Sequence, residues 1–206
     1  MVEGDPVSAG PPPVIGIVGG IGSGKSRVAS LLEASGCIVS DADALARAAL
    51  RDETVRDTIV SWWGEGMLED DGSVSRARVA DRVFAAPAEL DRLEALLHPL
   101  VESGRRAEFD AAGDDTTALV IDAPLLLEVG LDRECDVILY VDTPRAVRLE
   151  RVASSRGWDE AELARREGRQ MSLDEKRSRA HHVVVNHGRV EDLREQVEAF
   201  LATLGR

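Results

Sequence analysis

The sequence predicts an α/β fold with a five-stranded parallel sheet, a helical subdomain and a lid. Apolar runs with the length of buried strands alternate with helical patterns, and such alternation favours parallel pairing with helices on both faces of the sheet. A glycine-rich stretch also joins the first apolar run to the first helical pattern. The predicted strands cover 14–18, 37–39, 118–121, 137–141 and 182–185.

Helical patterns occupy most of the remaining chain. They cover 26–35, 42–50, 54–61, 76–84, 87–97, 99–112, 144–155, 159–180 and 190–204. The helical stretch from 42 to 112 is too long for one crossover between parallel strands, so we expect it to build a helical substrate-binding region at about 54–112. The segment 156–180 has the charge density of a mobile lid.

Length and composition exclude several classes of protein. The 206 residues suit one domain with a sizeable core. Residues 1–13 lack the segments of a signal peptide and include three successive prolines, so we expect a disordered tail before a domain at 14–206. The sequence has no stretch of about 18 apolar residues, so it does not predict a membrane span. We predict a cytoplasmic protein in which Cys37 and Cys135 are reduced core residues.

The distribution of charge points to small anionic ligands. A formal net charge of −13 argues against nucleic acid or an anionic membrane as a general partner. Between Arg145 and Arg179, however, ten basic residues stand against seven acidic ones. The scarcity of lysine elsewhere can reflect codon bias, but local clustering of arginine suits the binding of anionic substrates.

The glycine-rich stretch at 19–26 reads Gly-Gly-Ile-Gly-Ser-Gly-Lys-Ser, which matches a phosphate-binding loop between a strand and a helix. Its backbone N–H groups and the positive end of the following helix favour phosphate oxygens. Lys25 is placed to reach the terminal phosphates, and the Ser26 hydroxyl to bind Mg²⁺. We expect a nucleoside triphosphate to contact Gly20, Ile21, Gly22, Ser23, Gly24, Lys25 and Ser26.

Three acidic residues follow predicted strands. Asp41 and Asp43 come after the second strand, where a carboxylate can accept a proton from an acceptor hydroxyl. Asp41 suits helix capping equally well, whereas Asp43 favours the functional interpretation. Asp122 ends the third strand in the Walker-B layout, which predicts a role at the Mg²⁺ site, although an aspartate there is also an ordinary turn former.

Further candidates lie in loops and on one helix. Pro124 and Leu125 begin a loop that can face the acceptor. Arg148 and Arg151 share a helix face and Arg156 follows it, so these arginines can clamp phosphate or stack on adenine, or simply form a solvated basic face. The Asn186–Gly188 segment (Asn186, His187 and Gly188) follows the fifth strand, where it can pass the nucleobase or merely turn the chain.

These residues together resemble the dephospho-coenzyme A kinase family over the whole chain from Val14. The matching elements are the phosphate loop, Asp41-Ala-Asp43 with Arg47, Leu96-Leu-His-Pro-Leu100, Pro124-Leu-Leu with Glu128, Val141-Asp142 with Pro144, Arg151, Arg156, Gln170, Lys176 and Asn186.

The resemblance implies a P-loop kinase core and ATP- and Mg²⁺-dependent phosphorylation of the ribose 3′-hydroxyl of dephospho-coenzyme A. It implies that Asp43 is the base, that Arg47 and His98 shape the acceptor site, and that about 145–180 is the closing lid. His98 by its residue type alone suggests a structural role.

Two positions depart from the family pattern. Arg27 stands where the family has Ser or Thr, which removes a hydroxyl but leaves the backbone N–H for the nucleotide. His181 stands where the family has Asp in its Ala-Asp-x-Val motif. We expect neither change to remove a catalytic group.

Two other functions remain open from the residues. One is a P-loop kinase that acts on another nucleoside or nucleotide, and the other is a non-catalytic ATP-binding module. A GTP switch is disfavoured because neither Lys25 nor Lys176 lies in an Asn-Lys-x-Asp motif. We expect a monomer or weak homo-oligomer whose partner is a small-molecule substrate.

Overall fold

A five-stranded parallel sheet forms the centre of the fold, as the sequence predicts. The computed structural model describes residues 10–205. The strands are β1 Val14–Gly19, β2 Ile38–Asp41, β3 Leu119–Asp122, β4 Val137–Asp142 and β5 His182–Val185.

The strand order is β2-β3-β1-β4-β5, so β1 lies in the middle of the sheet. Ile17 is in register with Asp122 of β3 on one side and with Leu139 of β4 on the other. The chain reaches β2 and β3 on one side of β1 before it crosses to β4 and β5 on the other. Ligands of α/β sheets bind beyond the carboxyl ends of strands at such a switch point, which here lies after β1.

Alternation along β1 determines how the sheet is covered. Ile15 and Ile17 point to one face, where α1 and α9 close the core, and Gly16 points to the other. A Cβ atom on Gly16 would lie 2.8 Å from the Sγ atom of Cys135, so the chain after β3 packs directly on the sheet backbone. Cys37 and Cys135 are both reduced, but only Cys37 is buried, and this burial raises the pKa of its thiol to about 11.

The helices in residues 10–205 follow most of the predicted patterns. They are α1 Lys25–Ala34, α2 Ala42–Ala49, α3 Glu53–Trp63, α4 Arg76–Ala85, α5 Pro87–Asp110, α6 Arg145–Arg156, α7 Glu160–Glu167, α8 Leu173–Ser178 and α9 Val190–Ala202. None of these helices combines the length and the apolar character required to cross a bilayer.

Two helix predictions were wrong. A break was expected before Pro99, but α5 continues through it. Leu97 before the proline packs in the core of the same helical unit, and Gly104 after it lies directly against Leu45 of α2, so both halves of the helix are held by packing. The single helix predicted at 159–180 is instead α7 and α8, separated by residues 168–172. Gly168 ends α7, and the Ser172 side chain caps α8.

The chain divides into two compact units. One contains residues 41–111 and has its own apolar core, formed by α2 to α5 and the turn between α3 and α4. The other contains the remaining described residues and the sheet. The predicted boundaries of the substrate-binding region at 54–112 and of the lid at 145–180 stay predictions.

The predicted N-terminal tail is only partly described. Residues 1–9 lie outside the described residues, and residues 10–13 form neither helix nor strand. The carbonyl oxygen of Pro13 accepts a hydrogen bond of 2.9 Å from the backbone N–H of Leu119, so the described chain joins the sheet just before β1.

Candidate functional site

The glycine-rich stretch forms a tight loop between β1 and α1, as the motif predicts. The backbone N–H of Ser23 donates to the Gly20 carbonyl oxygen at 3.1 Å, which closes the turn. Helix α1 begins directly afterwards and has no acidic residue in its first turn. The positive end of its dipole therefore faces the loop without a competing negative side chain.

Two glycines of this loop are required by both conformation and space. Gly22 has φ +78° and Gly24 has φ +87°, a region that L side chains rarely adopt. A Cβ atom at Gly22 would lie 2.8 Å from the carbonyl oxygen of Arg148. The loop therefore needs glycine at these positions to keep its shape.

Lys25 lies along the loop. Its Nζ atom donates to the carbonyl oxygens of Gly19, at 3.3 Å, and of Gly20, at 3.5 Å. The side chain is half-buried. This geometry places a positive charge beside the loop backbone, where phosphate oxygens bind in loops of this kind.

Two arginines of α6 bind carbonyl oxygens of the same loop. Arg148 donates to the Ile21 carbonyl at 3.2 Å and is only 3% exposed, so it does not form the solvated face that was the alternative interpretation. It also pairs with Glu167 of α7. Arg151 donates to the carbonyls of Gly22, at 3.3 Å, and Ser23, at 3.1 Å.

Two buried polar side chains complete the contacts to Ser23. The Nδ2 atom of Asn186 donates to the Ser23 carbonyl oxygen at 2.7 Å, and the Oγ1 atom of Thr143 lies 3.0 Å from the same oxygen. Thr143 follows β4 and Asn186 follows β5. The loops after three strands thus meet at the phosphate loop.

The candidate Mg²⁺ ligands lie after neighbouring strands. Ser26 is exposed in the first turn of α1, and Asp122 is half-buried at the end of β3. A hydroxyl and a carboxylate are hard oxygen donors of the type that Mg²⁺ prefers. Residues 10–205 contain no group of three or more His, Cys, Asp or Glu side chains arranged for a metal ion. A Mg²⁺ ion held by one or two protein ligands, water and phosphate requires no such group.

The loop after β3 carries the predicted acceptor-facing residues. Pro124 and Leu125 are exposed there. The Oε1 atom of Glu128, in the same loop, accepts from the backbone N–H of Met171 at 2.8 Å and lies 3.0 Å from the Nζ atom of Lys176. Burial alone would raise the pKa of Glu128, but these two donors together hold it below its ordinary value.

Arg156 lies at the end of α6, outside the loop contacts. It is exposed, and its guanidinium carbon is 4.8 Å from the ring centroid of Trp158. The guanidinium carbon of Arg166 lies 4.1 Å from the same ring. Gly188, in the turn between β5 and α9, is also exposed, as is Arg27 in α1.

The remaining candidates belong to the 41–111 unit. The side chain of Asp41 accepts from the backbone N–H of Ala44 at 2.9 Å and therefore caps α2. Arg47 lies 3.6 Å from the Asp41 carboxylate. Asp43 lies in the first turn of α2, and His98 is exposed on α5.

The sequence did not single out Thr143 or the pairing of Arg148 with Glu167. A threonine after a strand carries no motif of its own. A signal did exist for Arg148, because it lies three residues before Arg151 on one helix face. The partners of both residues depend on which strands are neighbours.

Comparisons with known proteins identify the family of this chain. The model of the dephospho-CoA kinase family matches residues 13–192. A dephospho-CoA kinase of Corynebacterium efficiens is 40% identical over 195 residues, with 92% of this chain and 96% of that protein covered. One of Anaeromyxobacter dehalogenans is 42% identical over 193 residues, with 93% and 92% covered.

Solved structures share the fold. A Thermus thermophilus crystal structure superposes with a TM-score of 0.82 at 36% identity and covers 95% of this chain and 99% of its own. A dephospho-CoA kinase from Campylobacter jejuni has a TM-score of 0.69 at 18% identity, with 93% and 96% covered, and supports the fold. The match of the family model over most of the chain and the identity to the curated relatives show that this chain is a kinase of the dephospho-CoA kinase family.

Proposed function

We propose that this chain transfers the γ-phosphoryl group of ATP to the ribose 3′-hydroxyl of dephospho-coenzyme A, the last step of coenzyme A biosynthesis. The observation that carries the proposal is the phosphate loop before α1, with Lys25 lying along it, in a chain that the family model matches over residues 13–192. This transfer requires alignment and charge stabilisation rather than a covalent intermediate.

In this mechanism, positively charged groups stabilise the triphosphate. Lys25 changes its contact from the loop carbonyls to the β- and γ-phosphates, and the N-terminus of α1 supplies backbone N–H groups. Arg151 adds positive charge behind the loop while it remains bonded to the Ser23 carbonyl. Arg156 binds the nucleotide from the end of α6, together with backbone groups of Arg27 and the Asn186–Gly188 segment.

Ser26 and Asp122 would hold Mg²⁺, Ser26 directly and Asp122 directly or through water. The ion would neutralise charge on the β- and γ-phosphate oxygens. Support comes from the chemistry of the two donors and from their position after β1 and β3, which are adjacent strands. Titrating Mg²⁺ into nucleotide-bound Asp122→Asn and wild-type protein measures this role.

Asp43 is the proposed base that accepts the proton of the incoming hydroxyl. Arg47 and His98 are the proposed acceptor-binding residues of the 41–111 unit, and Pro124 and Leu125 are those of the sheet-containing unit. Asp43 follows β2 by two residues, and α/β sheets bind ligands beyond the carboxyl ends of their strands. The side chain of its neighbour Asp41 caps α2, which favours Asp43 over Asp41 as the base.

Acceptor-dependent ADP release by Asp43→Asn tests the proposal. The substitution preserves shape but removes basicity, so turnover should fall by about 10²–10⁴ while ATP affinity survives. Asp41→Asn is the matched control, because asparagine caps a helix nearly as well as aspartate and should leave most activity. An inactive Asp41→Asn variant, or normal turnover by Asp43→Asn, would show that Asp43 is not the base.

The same assay separates the alternatives. A kinase for another nucleoside or nucleotide would release ADP with that acceptor and not with dephospho-coenzyme A. A non-catalytic module would bind ATP without acceptor-dependent release. The cytoplasmic location and the monomeric or weakly associating state stay predictions, to be measured by cell fractionation and by sedimentation.

A further inference from the structure

We propose that Thr143, Arg151 and Asn186 form a carbonyl clamp that orients the Ser23–Gly24 peptide of the phosphate loop for nucleotide binding. The inference deepens the proposed function, because it assigns positioning residues to the same reaction. Its key member is Thr143, which carries no motif signal.

The clamp places three donors on one carbonyl oxygen. The oxygen of Ser23 is 2.7 Å from Asn186 Nδ2, 3.0 Å from Thr143 Oγ1 and 3.1 Å from Arg151 Nη1. A carbonyl oxygen has two lone pairs, and the third donor, Arg151 Nη1, is shared with the carbonyl oxygen of Gly22 at 3.3 Å. Ser23, Thr143 and Asn186 are all buried, and hydrogen bonds hold their direction more strongly where water does not compete.

The Thr143 hydroxyl, which has one proton to donate, lies between two carbonyl oxygens. Its Oγ1 atom also lies 3.1 Å from the backbone carbonyl oxygen of Asn186. That second oxygen already accepts from Arg151 Nη2 at 2.9 Å. Because Arg151 Nη1 divides its contact between the Gly22 and Ser23 carbonyls, the Ser23 oxygen retains room for the Thr143 hydroxyl, and Ser23 is the nearer of the two acceptors.

The direction of this carbonyl determines the direction of the next N–H. The described chain has no cis peptide bond, and in a trans peptide the N–H points opposite to the C=O. The clamp therefore directs the N–H of Gly24 away from Thr143 and Asn186. The carbonyls of Ile21 and Gly22 are held by α6 in the same manner. N–H groups on the opposite side of such a loop are the donors that phosphate oxygens use.

Packing around Gly24 leaves little alternative to this arrangement. A Cβ atom at Gly24 would lie only 2.2 Å from Nδ2 of Asn186, so the amide rests directly on the glycine. With φ at +87°, Gly24 also begins α1. Loss of a clamp donor frees the Ser23–Gly24 peptide to rotate. This rotation should weaken phosphate binding more than it weakens acceptor binding.

The experiment compares Thr143→Val, Thr143→Ser and Thr117→Val. Thr143→Val keeps the shape and removes the hydroxyl, and Thr143→Ser restores it. Thr117→Val is the matched control, because the Thr117 hydroxyl also donates to a backbone carbonyl oxygen, that of Ser35, at 2.9 Å. Thr117 lies just before β3, at the opposite end of the sheet from the phosphate loop. ADP binding by calorimetry, melting temperature, and KM for ATP and for dephospho-coenzyme A are measured for each.

Thr143→Val should weaken ADP binding and raise the KM for ATP by about three- to tenfold, the range for one lost hydrogen bond. The KM of Thr143→Val for dephospho-coenzyme A should stay within about twofold of wild type. The ADP affinities of Thr143→Ser and Thr117→Val should also stay within about twofold of wild type. Asn186→Ala, if it folds, should show a larger loss in ADP affinity.

Unchanged ADP affinity in Thr143→Val would overturn the clamp, and so would an equal loss in Thr117→Val. If wild-type protein bound ADP but did not phosphorylate dephospho-coenzyme A, the proposed function would fail. The ADP affinity of Thr143→Val would still test the clamp in that case.

Discussion

Replacing Lys176 by methionine is expected to destabilise the sheet-containing unit strongly, although Lys176 lies far from the phosphate loop in the sequence. The side chain is 2% exposed, and its Nζ atom lies 3.0 Å from Glu128 and 3.2 Å from Gln170. Methionine fills nearly the same volume and keeps the apolar stem packed. The substitution therefore removes mainly the charge.

The magnitude follows from the burial of both partners. Breaking a buried ion pair by removing one partner costs about 3–5 kcal/mol, because the other charge is left without compensation. The side chain of Glu128 is 19% exposed, so water offsets part of this penalty and the lower end, about 3 kcal/mol, applies. For a chain of this size, that corresponds to a fall in Tm of about 6–12 °C.

Urea unfolding and thermal melting measure the effect, with Arg179→Met as the matched control. Arg179 lies 2.9 Å from Glu175, but its side chain is 45% exposed, so the control should lose less than about 1 kcal/mol. The double variant Glu128→Gln with Lys176→Met leaves no uncompensated charge, so it should be more stable than Lys176→Met alone by about 1 kcal/mol or more. If Lys176→Met lost no more stability than Arg179→Met, the buried ion pair would not contribute as described.

Three further predictions concern charge and pH. Lys25→Ala should abolish acceptor-dependent ADP release while Tm changes by less than about 3 °C, because its charge acts on the phosphates; turnover within a few-fold of wild type would contradict this. Arg156→Ala should raise KM for ATP by about tenfold with an unchanged Tm, because its charge-assisted contact forms only with nucleotide; a large loss of stability with normal kinetics would show a structural role instead. Because the folded-state pKa of Glu128 lies below its ordinary value of 4.5, the advantage of wild type over Glu128→Gln should be complete above pH 4.5 and shrink as the pH falls through the lower folded-state pKa. Urea unfolding across that range measures it, and an advantage that grows on acidification would reverse the assigned sign.

Local sequence patterns were enough to predict the sheet strands and the phosphate loop. Each strand is a short run of apolar residues that follow one another in the sequence. The loop at 19–26 directly joins β1 to α1. Its glycines, lysine and serine are close in space because they are close in the chain. Local signals therefore suffice for the strand–loop–helix unit and for the family it indicates.

The contacts that hold the phosphate loop could not be predicted from local patterns. Asn186 and Thr143 lie 163 and 120 residues from Ser23, and no local rule brings them together. They meet because β4 and β5 follow β1 across the sheet, so the turns after these strands converge at one edge. The continuity of α5 through Pro99 has a similar cause, since packing along a long helix outweighs the local preference of one residue. Interactions between distant segments depend on strand order and packing, and that is why they appear only in the folded chain.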